Sequence, residues 1–140
     1  MSKFTWFSGR GPALTQLQLQ RRGNLAEPCA LDERPLQQQR FVILDLETSG
    51  LNMRRDQVLS IGAVVIDNGA IDLSQQFECT LQREGHQASA STLIHGIAPS
   101  AIANGIEPAE ALLAFMQFLG DSPLLACHAG FDQRMLTRAL

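Results

Sequence analysis

The chain has 140 residues, 45% of them hydrophobic, and a formal charge of −3, which suits one globular core and is too short for two. Its net acidity excludes the broad basic field of a sequence-independent nucleic-acid binder, so any such partner must be held locally or through metal ions. Cys29, Cys79 and Cys127 lack a CxxC spacing, which argues against a disulfide framework or zinc site and for a reducing cytosol; with no ~18-residue apolar run and no signal-peptide core, a soluble, unexported cytoplasmic protein is expected.

Residues 1–40 read as an N-terminal arm and linker, and 41–140 as the domain. The arm holds Lys3, Arg10, Arg21 and Arg22 with no acid before Glu27, a bias shared with transit peptides but too slight to decide anything. "PALTQLQLQRR" suits a short helix with Pro12 in its first turn and two arginines near its C-terminal end, packed loosely on the domain. Residues 23–39, with Gly23, Pro28 and Pro35, read as a linker.

"RFVILDL" predicts a strand buried on both faces. "QVLSIGAVVIDNG" predicts a second, and its Asp67-Asn68-Gly69 turn leads into a third, "AIDLSQQFECTL". Glu107 to Gly120 predicts a helix with Pro and acids in its first turn and a glycine stop. "PLLACH" predicts a short buried strand with Cys127 in the core, and "FDQRMLTRAL" a helix with Asp132 in its first turn. Three strands, helix, strand, helix make an α/β fold with a mixed sheet.

The chemistry gathers at "DLETSGL". Residues i and i+2 of a strand share a face, so Asp45 and Glu47 project together. Two carboxylates in one site repel unless a divalent cation with a preference for oxygen ligands, Mg²⁺ or Mn²⁺, removes the conflict. Taken alone, the tripeptide better suits a solvated loop entry at a strand end.

"DLETSGL" at 45–51, "LSIGAVVID", "IHGI" at 94–97 and "ACHAGFDQRML" at 126–136 occur in this order. Together they resemble the DEDD (DnaQ-like) 3′→5′ exonuclease superfamily, nearest the proofreading epsilon group of bacterial DNA polymerase III. Asp45, Glu47, Thr48 and Gly50 match its first motif, Asp-x-Glu-Thr-x-Gly, and Phe131 and Asp132 its second. The resemblance implies a ribonuclease-H-like sheet and a site with two Mg²⁺ or Mn²⁺ ions. Asp45 would be shared between the ions, Glu47 would bind the one that activates water, and Asp132 the other. It further implies substrate contacts from Thr48, Gly50, Leu51, His95, Ile97 and Phe131, a nucleic-acid 3′ end, DNA rather than RNA, as substrate, and DNA polymerase III subunits as partners.

Two departures stand beside these matches. His128 occupies the position where the family often has asparagine. The family's third motif, His-x-x-x-x-Asp or Tyr-x-x-x-Asp, is not among the 140 residues, and "MLTRAL" reads as a helix still running at Leu140. The expectation is therefore a C-terminally truncated exonuclease domain, with "PLLAC" left as an apolar edge. The alternative is an accessory module that binds nucleic-acid ends or a polymerase without cleaving. A third possibility makes the three acids incidental.

Overall fold

In a computed structural model, which describes residues 3–7 and 11–140, the three-strand meander forms as expected; Arg10 of the N-terminal charge bias lies outside the described residues. β1 (Phe41–Thr48), β2 (Val58–Asp67) and β3 (Ala70–Thr80) pair antiparallel. Asn68 and Gly69 turn the β2–β3 hairpin with φ of 50° and 74°, the left-handed pair that a tight two-residue hairpin requires. β4 (Leu124–Ala126) adds parallel to β1, giving the order β3-β2-β1-β4, with β4 half-buried at the edge. This is a mixed ribonuclease-H-like α/β sheet.

The register assigns each face. Val42, Leu44 and Leu46 of β1 stand opposite Val65, Ala63 and Ile61 of β2, and with Cys79 they form the sheet side of the core. Against them packs α4 (Pro108–Leu119), which buries Leu112, Leu113, Phe115, Met116 and Leu119. Glu107 caps α4 by accepting from the N–H groups of Ala109 and Glu110, both at 3.1 Å, and Gly120 ends it at φ 57°. α5 (Ala129–Thr137) closes the same side with Met135 and Leu136.

Four expectations need correction. β1 is buried on one face only: Ile43 is 39% exposed and Asp45 is exposed, because α4 and α5 cover the opposite face. α5 stops at Thr137, where the Arg138 N–H bonds back to Met135 and Leu136 carbonyls. Beyond it Ala139 is buried, and its carbonyl accepts from Arg83 Nη2 at 2.7 Å. Arg83 is itself 7% exposed and also donates to the Val58 carbonyl; burial pushes its pKa down to about 10. Cys127 is exposed, because β4 ends one residue before it.

The fourth concerns the arm. α1 (Gln16–Gly23) starts later than expected, at a capping box in which Thr15 and Gln18 satisfy each other's backbone N–H. Its polar side reaches α4, through Gln18 and Arg21 to Glu110. Upstream, a 3-10 turn (Lys3–Phe7) inserts Trp6 and Phe7 into the core, where Trp6 stacks on Phe115 with ring centroids 6.0 Å apart. This packing is tight. Two short helices that periodicity did not suggest, α2 (Thr92–His95) and α3 (Pro99–Ala103), follow β3.

Candidate active site

Asp45 and Glu47 lie on the open face of β1, opposite Gly62 and Ser60 of β2. They border a trough that runs over Gly62 to Gln76 and Glu78 on β3; Gly62, lacking a side chain, leaves it open. The β1–β2 register shifts between Glu47 and Thr48, and such an irregularity re-aims the side chains at a strand end. Asp132, in the first turn of α5, is 9% exposed and lies near enough to Asp45 for their charges to interact, though it lines a small core-side pocket with Trp6, Leu44 and Leu136 and not the trough. Burial raises its carboxyl pKa above the ordinary range, backbone N–H groups oppose the rise, and the negative charge of Asp45 adds to it. Asp45 and Asp132 therefore share a field. Among the described residues, no three His, Cys, Asp or Glu side chains come together as a metal-holding group, so Asp45, Glu47 and Asp132 do not close a cage.

The chemistry of this donor set still fits a hard divalent ion. All its donors are carboxylate oxygens, and the burial that raises the pKa of Asp132, with the smaller push from the Asp45 charge, is what a cation would offset.

Beside the acids opens a cavity of about 450 Å³, walled by Leu46 to Leu51, by Ser89 to Ser91 with Ile94 and His95, and by Phe131. It brings together Glu47, Thr48, Gly50, Leu51, His95 and Phe131, from three separate stretches of the chain. Ile97 is not in its wall. Its N–H instead donates to His95 Nδ1 at 2.9 Å, because Gly96 turns the chain away at φ 69°. A neutral His95 that accepts at Nδ1 carries its proton on Nε2, and that buried nitrogen has no hydrogen-bond partner among the described residues. His128 precedes α5, and its carbonyl accepts from the Phe131 and Asp132 N–H groups, at 2.8 and 3.2 Å.

One residue of the site escaped the sequence reading. Asp56 accepts from Ser49 Oγ at 3.2 Å and from the Asn52 N–H at 2.8 Å, tying down the loop that walls the cavity. A Cβ on Gly50 would fall 2.4 Å from Asp56 Oδ2. Gly50→Ala is thus expected to expel that carboxylate and cost about 1–3 kcal/mol in lost hydrogen bonds, read by urea denaturation. The only sequence signal was an unexplained acid in a polar turn.

Comparison with known proteins now decides the family. The Exonuclease family (RNase_T) matches residues 42–140. The chain belongs to that exonuclease family. Its likeness extends to the PolC-type DNA polymerase III of Thermotoga maritima, 35% identical over 96 residues, which cover 69% of this chain and 7% of that protein. A DNA polymerase III subunit epsilon-like protein of Rhodobacter capsulatus is 34% identical over 110 residues, covering 78% of this chain and 16% of that protein. The chain thus spans a small part of the relatives it matches. Among solved structures, cell-death related nuclease 4 superposes with a TM-score of 0.51 at 20% identity, over 57% of this chain and 29% of that one, which supports the exonuclease fold.

Proposed function

We propose that this chain acts in a metal-dependent 3′→5′ exonuclease that removes nucleotides from DNA 3′ ends, in replication proofreading or repair. One observation carries the reading: a nucleotide-sized cavity shares Glu47 with the carboxylate face of β1. Asp45, Glu47 and Asp132 would hold Mg²⁺ or Mn²⁺, which when bound would supply Lewis acidity at the phosphate and lower the pKa of a water nucleophile. Leu51 and Ile94, 83% and 86% exposed, offer apolar faces to the terminal base. The unpaired Nε2–H of His95 donates to an oxygen of the bound nucleotide. The Thr48 hydroxyl donates to the Gly50 carbonyl at 2.8 Å, keeping the loop folded back from the entering sugar. DNA polymerase III subunits are the natural partners, since the relatives named above carry that name, and the cytoplasm is the natural setting.

The test is to incubate the chain and Mn²⁺ with single strands labelled at either end, of DNA and of RNA. Mononucleotide release from the 3′-labelled DNA is expected; release from the 5′ end instead would overturn the direction. Binding of ends without release would favour the accessory-module alternative.

A second expectation concerns Asp132. Its folded pKa lies above the unfolded value, so ionising it costs stability; the cost is absent below the unfolded pKa and complete above the folded one. In EDTA, Asp132→Asn is therefore expected to raise the melting temperature at pH 7, with the gain shrinking as the pH is lowered through the carboxylate range. With Mn²⁺ added, wild type should be stabilised more than the variant.

A further inference from the structure

The net charge of −3 conceals a local exception. Arg54, Arg134 and Arg138 line one cleft of about 540 Å³, with Met53, Gln133 and Thr137. The ion pairs among the described residues are Arg21–Glu110, Arg34–Asp32 and Arg55–Asp56, and none involves these three arginines. The nearest acid in the loop, Asp56, already accepts from Ser49 and Asn52. Cationic side chains left without acids around a concave surface are complementary to an anion.

The cleft also continues the site. The loop after β1 gives Ser49, Gly50 and Leu51 to the nucleotide cavity and Met53 and Arg54 to the cleft. α5 likewise gives Phe131 to the cavity, and Gly130, Gln133, Arg134 and Thr137 to the cleft. The same two walls therefore bound both, one after the other.

We infer that the Arg54–Arg134–Arg138 cleft binds the phosphodiester backbone of the single strand whose 3′-terminal nucleotide occupies the cavity at Leu51 and His95. The inference rests on the exonuclease reading and adds the path of the strand beyond the last nucleotide. It also reconciles an acidic protein with a polyanionic substrate: a few arginines, placed where the strand must pass, replace a long basic track.

The experiment compares wild type with Arg54→Ala/Arg134→Ala. Arg138 is kept because it donates to the Met53 and Asp56 carbonyls and supports the loop. Binding of 5′-fluorescein oligothymidylate of about 12 nucleotides is followed by anisotropy against salt in EDTA, and binding of thymidine 5′-monophosphate with Mn²⁺ by thermal shift. The double variant should lose about tenfold in oligonucleotide affinity at low salt, and the slope of log K against log salt should fall by about 1.4, the loss of two phosphate contacts on a single strand. Its response to the mononucleotide should be unchanged. Arg54→Lys/Arg134→Lys should keep the wild-type slope. An unchanged oligonucleotide affinity and slope in the alanine variant would overturn the inference while a mononucleotide response left the exonuclease reading intact. A wild type indifferent to the mononucleotide would remove that reading and the inference with it. Polyglutamate competing as strongly as the oligonucleotide would assign the cleft to an acidic protein surface and overturn it as well.

Discussion

Replacing Asp45 with alanine is expected to reduce nucleotide release by about a thousandfold or more while leaving the fold intact. The magnitude follows from what a bound metal contributes, several kcal/mol of transition-state charge stabilisation, at 1.36 kcal/mol per factor of ten in rate. The fold survives because Asp45 is exposed on the open face of β1 and is no part of the core. Its strand neighbours Leu44 and Leu46 supply the packing. Removing the Asp45 charge also relieves Asp132, so the melting temperature in EDTA should hold or rise slightly. This pairing of opposite effects is diagnostic. Loss of release together with a lowered melting temperature would mean that Asp45 is structural, and near-wild-type release would remove the metal chemistry altogether. The assay is gel-resolved digestion of a labelled DNA strand with Mn²⁺, beside thermal denaturation followed by circular dichroism.

Much of the fold was legible because its strong signals are local. The Asp67-Asn68-Gly69 hairpin and the Glu107-Pro108 start and Gly120 stop of α4 each rest on backbone chemistry that a few residues carry by themselves. The site was legible for a different reason. Asp45 and Glu47 are linked by strand geometry, and Thr48, Gly50, Leu51, His95 and Phe131, named from a family resemblance, meet around one cavity. What was not legible depended on tertiary partners. Ile43 looks like a core residue in sequence, and only the placement of α4 and α5 shows that its face of the sheet is open. Asp56 matters through a carboxylate that occupies the space a Gly50 side chain would need. Arg54 and Arg134 are 80 residues apart in sequence, and no composition window could reveal that they line one cleft.

The arm was the largest misjudgement of packing, and it leads to the second large expected effect. Trp6→Ala should destabilise the protein by about 3–5 kcal/mol, the usual cost of emptying a buried aromatic site. Trp6 is 2% exposed, lies nearly parallel to the Phe115 ring, and walls a small cavity with Leu44, Leu136 and Asp132. An arm lying loosely on the surface would instead respond within about 0.5 kcal/mol, so urea denaturation separates the two pictures. Trp6→Phe sharpens the test. The indole Nε1 is buried without a hydrogen-bond partner among the described residues, so the phenyl ring removes an unsatisfied donor along with some volume, and the two changes offset one another. A loss well below that of the alanine variant is therefore expected. A chain of this length has about 0.05–0.15 kcal/mol of stability per residue, so the alanine substitution removes a large fraction of the total. Because the emptied space lies against Asp132, Mn²⁺ should also stabilise Trp6→Ala less than wild type, whereas a core substitution that does not line this cavity, such as Leu113→Ala on α4, should leave the metal response unchanged. The arm would then be a brace for the buried carboxylate as well as a part of the core.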